Sequence, residues 1–346
     1  SFAAMENEGA AAPVAQRKWG ILAFLIVLLL MPIGHALMVL NEQVLHTGKY
    51  GSAAVLGLVG MALLVWGIRR DRNKAIASLL GLLAGILAWT GWVEFSFVWI
   101  AEKENVAPMM ENGEVVTKPE YLVMLSSLGL LAVALVMFTF SSTRCPYFRW
   151  WQRIMGLRKS IRETGTNQEL RPMAVTVFME VVVIMWTFYV LLLVAYDPQI
   201  AGDRHPFTYI VAFGSLLWSA ILTAKLMRIK TFDHALRYAI PTVIIFWNFV
   251  EVAGRWDLFS EIWVHPIEHW LENSIILAVL AAAVVYYVVD GRKDPKALRK
   301  SAMPAAREPR AVRGTAQAPG PALKAGQALN RGKVHVAAGI EHPDPA

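Results

Sequence analysis

The chain has 346 residues, 56% of them hydrophobic, with 13 Trp and 14 Met. That is more apolar side chain than one soluble core encloses, so a polytopic membrane protein is expected. The formal charge of +7 does not imply nucleic acid: residues 290–346 hold eleven Lys and Arg against five Asp and Glu, in an Ala-, Pro- and Gly-rich tail with no aromatic ring for base stacking.

Residues 1–18 form a short polar N-terminal segment ending in Arg17-Lys18. The apolar run that follows, 19–40, is too long for a signal-peptide core and lacks a small-residue cleavage site, so it reads as a retained helix. Seven more transmembrane helices are expected at 51–68, 75–101, 121–141, 173–196, 207–224, 238–256 and 266–289. Basic loops alternate with neutral or acidic ones: Arg69–Lys74, 144–171, 225–230 and the tail against 41–50, 102–120, 197–206 and 257–265. By the positive-inside rule, both termini are expected to be cytoplasmic, in an inner membrane. The connection 142–172 carries Phe148, Trp150, Trp151, Ile154 and Leu157 among basic residues and reads as an amphipathic helix on the inner leaflet. The tail from 290 reads as a disordered basic extension, and anionic lipid is the expected partner of both tail and basic loops. The lone Cys145, beside basic residues, excludes an intramolecular disulfide, a Cys-based zinc site and an iron–sulfur cluster.

One phrase occurs twice. Trp89, Trp92, Val93, Glu94 and Trp99 recur in type and spacing as Phe246, Phe249, Val250, Glu251 and Trp256, an offset of 157 residues. The same offset carries Gly57 onto Gly214 and brings the basic turn at 69–74 within one residue of that at 225–230. The expected fold is therefore an all-α integral membrane protein of eight helices, in which halves 19–141 and 173–289 form a 4+4 parallel pseudo-repeat.

Each repeated glutamate sits five residues before an interfacial Trp, roughly 8 Å below the membrane surface at ~1.5 Å rise per residue. An ionisable group there marks function by default. His35 reaches a similar depth on the first helix. Pro266 suits the first position of the last helix, which would put His265, His269 and Glu272 on one face. His35, Glu94, Glu251, His265 and His269 are thus candidate ligands of a divalent or redox metal, with zinc, iron, manganese and copper all suited to such N and O donors. Glu268 and Glu272 would support those ligands from behind, and Arg255 would join Glu94 and Glu251 in catalysis. Each candidate also has a plainer reading: Arg255 stands four residues after Glu251 and can pair with it on one helix. His35 can be a packing residue, and the rim histidines can be interfacial. Glu180, about 10 Å from the cytoplasmic face by the same rise, breaks the repeat; it suits a proton relay, or a pair with Lys225 or Arg228. His265-Pro-Ile-Glu268-His269 matches the spelling of inverted zinc peptidases, but only one helix and the tail follow it, too little for such an enzyme.

Three functions fit. The first is a metal-dependent membrane enzyme, an oxidoreductase or hydrolase acting on a lipid-soluble substrate. A proton- or cation-coupled transporter of a small molecule is the second. The third is a structural subunit of a membrane complex.

Overall fold

Apolar surroundings leave the backbone no hydrogen-bond partner but itself, and helices are the local answer. In a computed structural model, which describes residues 12–111, 114–141, 143, 145–157 and 171–293, helices make up most of the chain. The tail beyond residue 293, the first eleven residues and, in the 142–172 connection, residues 142, 144 and 158–170 lie outside the described residues.

Helix α1, Ala12–Leu45, meets α2, Lys49–Arg69, at a single 3-10 turn, His46–Gly48. Together they form one apolar stretch, Lys18–Arg69, of 52 residues. Straight, it would measure ~78 Å at ~1.5 Å per residue, far more than a ~30 Å hydrocarbon core. It folds back instead. Both limbs pack beside α3, Lys74–Ala88, and its continuation. In α1, Gly34 meets Ile86 and Thr90, and Met38 clusters with Phe95 and Val98. In α2 the order is reversed, with Gly57 against Trp92, Gly60 against Ala84 and Ala88, and Gly67 against Leu80. The limbs therefore run antiparallel.

A π-helical segment, Trp89–Glu94, follows α3 and leads into α4, Phe95–Lys103. Its i→i+5 bonding brings residue 94 over residue 89, a stacking that an α-helix does not give. Gly91 makes the segment compatible with its neighbour, because a Cβ there would stand 2.6 Å from the Ala53 carbonyl oxygen. The next connection is not plain loop. It holds an antiparallel hairpin of β1, Met109–Glu111, and β2, Glu114–Thr117, with Met110 opposite Val115.

The expected helix at 121–141 is broken into α5, Pro119–Leu125, and α6, Leu128–Phe140, which meet at 52°. At the break, the Ser126 and Ser127 hydroxyls donate to the carbonyls of Val123 and Met124, a bonding habit that bends helices. In helix α7, Pro146–Ile154, Phe148 and Gln152 are buried, while Arg153 and Ile154 are exposed. The Gln152 amide donates to the carbonyls of Thr139 and Ser141 and so finishes the end of α6. Cys145, just before α7, is fully buried.

Helices α8, Met173–Tyr196, α9, Pro206–Leu226, α10, Phe232–Arg255, and α11, Trp270–Lys293, complete the bundle. α11 begins four residues later than Pro266 suggests. Trp263 packs on Trp247, ring centres 4.9 Å apart, and the Asn273 amide donates to the carbonyls of Ile262 and His269. Residues 262–269 are consequently held as turns. His265 and His269 therefore precede the helix, and Glu272 lies in its first turn.

Among the described residues, six helical stretches are long and apolar enough to cross a membrane, seven if the bent pair is one span. In the bundle α2 packs on α3 and α9 on α10, α3 on α8 and α10 on α1, α8 on α5 and α6, and α1 on α11. Small residues let the backbones close up. Gly81→Ala would place a methyl 2.4 Å from the Ala174 carbonyl oxygen, and is expected to cost about 1–3 kcal/mol in mixed-micelle SDS unfolding. Gly214→Ala, with open space around it, is expected to be neutral or stabilising by up to about 1 kcal/mol in the same assay.

Candidate functional site

The ends of α1, α8, α10 and the π segment that lie away from the basic turns at 69–74 and 225–230 enclose a chamber of about 310 Å³. Its wall includes His35, Glu94, Tyr189 and Glu251, and the hairpin adds Val115 and Thr117. Both repeated glutamates thus face one space, with His35 beside them.

Glu94 is only 5% exposed and has two donors on one oxygen. The Trp89 indole donates to Oε1 at 3.0 Å, which the i→i+5 winding allows, and the Tyr189 hydroxyl donates to the same atom at 3.0 Å. The Tyr189 oxygen also stands 3.0 Å from His35 Nε2. A hydroxyl has one proton and can accept as well as donate, so the line His35, Tyr189, Glu94 is continuous in either direction.

Glu251 is served by its own helix: the Trp247 indole donates to Oε1 at 2.6 Å. Arg255, one turn on from Glu251, also reaches the loop after α8. Its Nε and one terminal nitrogen donate to the two oxygens of Asp203, each at 2.9 Å, while the guanidinium lies 4.1 Å above the Tyr196 ring. Planarity and fixed fork geometry suit Arg to that double role.

Glu261, in the loop before α11, reaches the same wall. Gly254 makes room for it, since a Cβ there would meet the Glu261 carboxylate at 2.1 Å. Burial, with Glu251 and Asp257 adding like charge, pushes Glu261 up to about 7.

The rim histidines stand apart. His265, Glu268 and Glu272 are exposed, His269 Nδ1 lies 3.6 Å from Glu272, and none of the four belongs to the chamber wall. The five expected metal ligands are thus divided between chamber and rim. Among the described residues, no three His, Cys, Asp or Glu side chains stand together as a metal site would require.

Glu180, 2% exposed, meets neither Lys225 nor Arg228 but Arg237 of α10, at 2.8 Å. Glu180 Oε2 and Arg237 Nε are buried without a partner.

Compared with protein families, curated proteins and solved structures, the chain matches none. Tyr189, Trp247, Asp203 and Arg237 escaped sequence reasoning. The first two read as apolar filling of their helices, and the other two are joined to their partners across more than fifty residues.

Two tests follow from this geometry. A carboxyl raised in the folded state contributes stability that is fully present below its unfolded value near 4.5 and is lost as pH rises through about 7. The wild type is therefore expected to melt at lower temperature at pH 8 than at pH 5, and Glu261→Gln to narrow that difference, both read by thermal unfolding in detergent. Arg237→Met strands the Glu180 charge and is expected to cost about 3–5 kcal/mol in SDS unfolding, most of it recovered when Glu180→Leu is added.

Proposed function

We propose that this chain is a proton-coupled carrier of a small lipophilic cation or weak base. It crosses an inner membrane eight times, as two parallel four-helix halves with both termini cytoplasmic. The observation that carries the reading is the Tyr189 hydroxyl, 3.0 Å from both His35 Nε2 and Glu94 Oε1, on the wall of a chamber that Glu251 shares.

A proton can pass along this line with every atom accounted for. With His35 protonated and Glu94 ionised, Nε2 gives its proton to the Tyr189 oxygen as the hydroxyl gives its own to Glu94. The result is a neutral imidazole and a carboxylic acid, with no net change in charge. A cation entering the chamber favours ionised Glu94, so binding and proton release are linked.

The rest of the wall suits such a guest. Glu94, Glu251 and Glu261 supply negative charge, and Trp89, Tyr189 and Trp247 supply aromatic faces. Of the cations in the wall, Arg255 is held by Asp203, and Lys118 stands 4.0 Å from Glu120. Among the described residues no three His, Cys, Asp or Glu side chains stand together as the ligands of a metal-dependent enzyme would, and His265 and His269 lie outside the wall; proton exchange needs only groups already in it.

The eight crossings gain support from the antiparallel limbs of Lys18–Arg69 and from counting the bent α5–α6 pair as one span. The duplication gains support from neighbour exchange. Mapping α1 to α8, α2 to α9, α3 to α10 and α5–α6 to α11 turns the contacts of one half into those of the other.

Proteoliposomes with an imposed pH gradient and ethidium as fluorescent probe test the reading. Gradient-driven movement is expected in the wild type. Glu94→Gln should slow it on the order of tenfold or more, as for a lost hydrogen bond to a charged group, and Tyr189→Phe should slow it less. Movement equal in wild type, Glu94→Gln and protein-free vesicles would overturn it.

A further inference from the structure

A second cavity, of about 850 Å³, opens where α7 crosses the basic ends of α9 and α10. It lies on the side of the basic turn at 225–230, far from the chamber of Glu94. Arg149 and Arg153 come from α7, Lys225 from α9, and His234 and Arg237 from α10. Among the described residues, no carboxylate belongs to the wall. Arg153 and Lys225 thus bring positive charge to the cavity, which favours an anion in it.

The remainder of the wall is apolar and aromatic. Trp150 and Trp218 lie with ring centres 5.3 Å apart, and Ile221 and Leu222 continue from them along α9. Cations at one end and hydrocarbon at the other match an amphiphile with an anionic head. A free phosphate ion would leave the apolar part unused.

A second observation points the same way. Arg237 is 6% exposed, lines this cavity, and is bonded to Glu180 through one terminal nitrogen, while its Nε has no partner. A buried guanidinium donor without an acceptor is costly, and an anionic oxygen is its natural complement. Beside the cavity, α7 exposes Trp151, Ile154 and Met155, the kind of surface that lies in a membrane interface.

We propose that this cavity is a binding site for an anionic phospholipid of the leaflet on the basic side of the bundle. The phosphodiester lies among Arg153, Lys225 and the neighbouring cations, and an acyl chain runs along Trp218, Ile221 and Leu222. The bound lipid fastens α7 to the transmembrane helices, an anchoring role independent of the carrier chamber.

The test is native mass spectrometry of the full chain released from nanodiscs containing equal parts phosphatidylglycerol and phosphatidylcholine. One phosphatidylglycerol is expected to be retained in preference to phosphatidylcholine, and excess inorganic phosphate is expected not to displace it. Arg153→Ala with Lys225→Ala should weaken retention on the order of 30-fold, from the loss of two cations near the surface. Both side chains are exposed, so the fold should tolerate the change. Arg153→Lys with Lys225→Arg keeps both charges and should keep the lipid. Equal retention of the two lipids, retention unchanged in the alanine variant, or loss from the charge-conserving variant would overturn the proposal. Displacement by inorganic phosphate would overturn it in favour of a soluble anion.

Discussion

A carboxyl group surrounded by apolar helices must be given donors by the fold, and most of what is distinctive in this bundle answers that demand. Glu94 receives an indole and a phenol, Glu251 an indole, and Glu180 a guanidinium. Each solution fixes something larger. The indole at Glu94 requires a π turn, the π turn brings Gly91 against α2, and that close approach sets where α2 lies. The phenol ties α8 to α1 and the π segment at one atom. Remove the carboxyl groups and the neighbouring helices lose their reason to meet in that register.

The three pairings also differ in what they permit. Glu180 and Arg237 hold opposite formal charges at 2.8 Å, an arrangement that resists change because either charge alone would be stranded. Glu94 has only neutral or switchable partners, so a proton can move without leaving an uncompensated ion. The difference lies in the partners, since both groups are deeply buried.

The apolar helical architecture was legible in the sequence because apolar length is a strong signal. Glu94 and Glu251 announced themselves by recurring at equal distance from matching aromatics, and they do face one space. Tyr189 could not be found that way. It sits in an uninterrupted apolar run, and its imidazole partner is 154 positions distant. Local patterns also misled where tertiary contacts outweighed them. The spacing of Arg255 after Glu251 gave no sign of Asp203, which offers it a two-pronged acceptor from 52 residues away. Pro266 looks like a helix start, yet Trp263 anchored on Trp247 delays the helix to Trp270. The π segment left no periodic trace, because one turn of wider winding differs from an α-helix by a single residue.

The buried thiol of Cys145 has a practical side. It is the chain's sole cysteine, and burial pushes its ionisation upward, so the nucleophilic thiolate is scarce as well as covered. A spin label or fluorophore attached to any newly introduced surface cysteine will therefore report from that position alone. The native background is already silent, and the movements of each helix can be followed one site at a time.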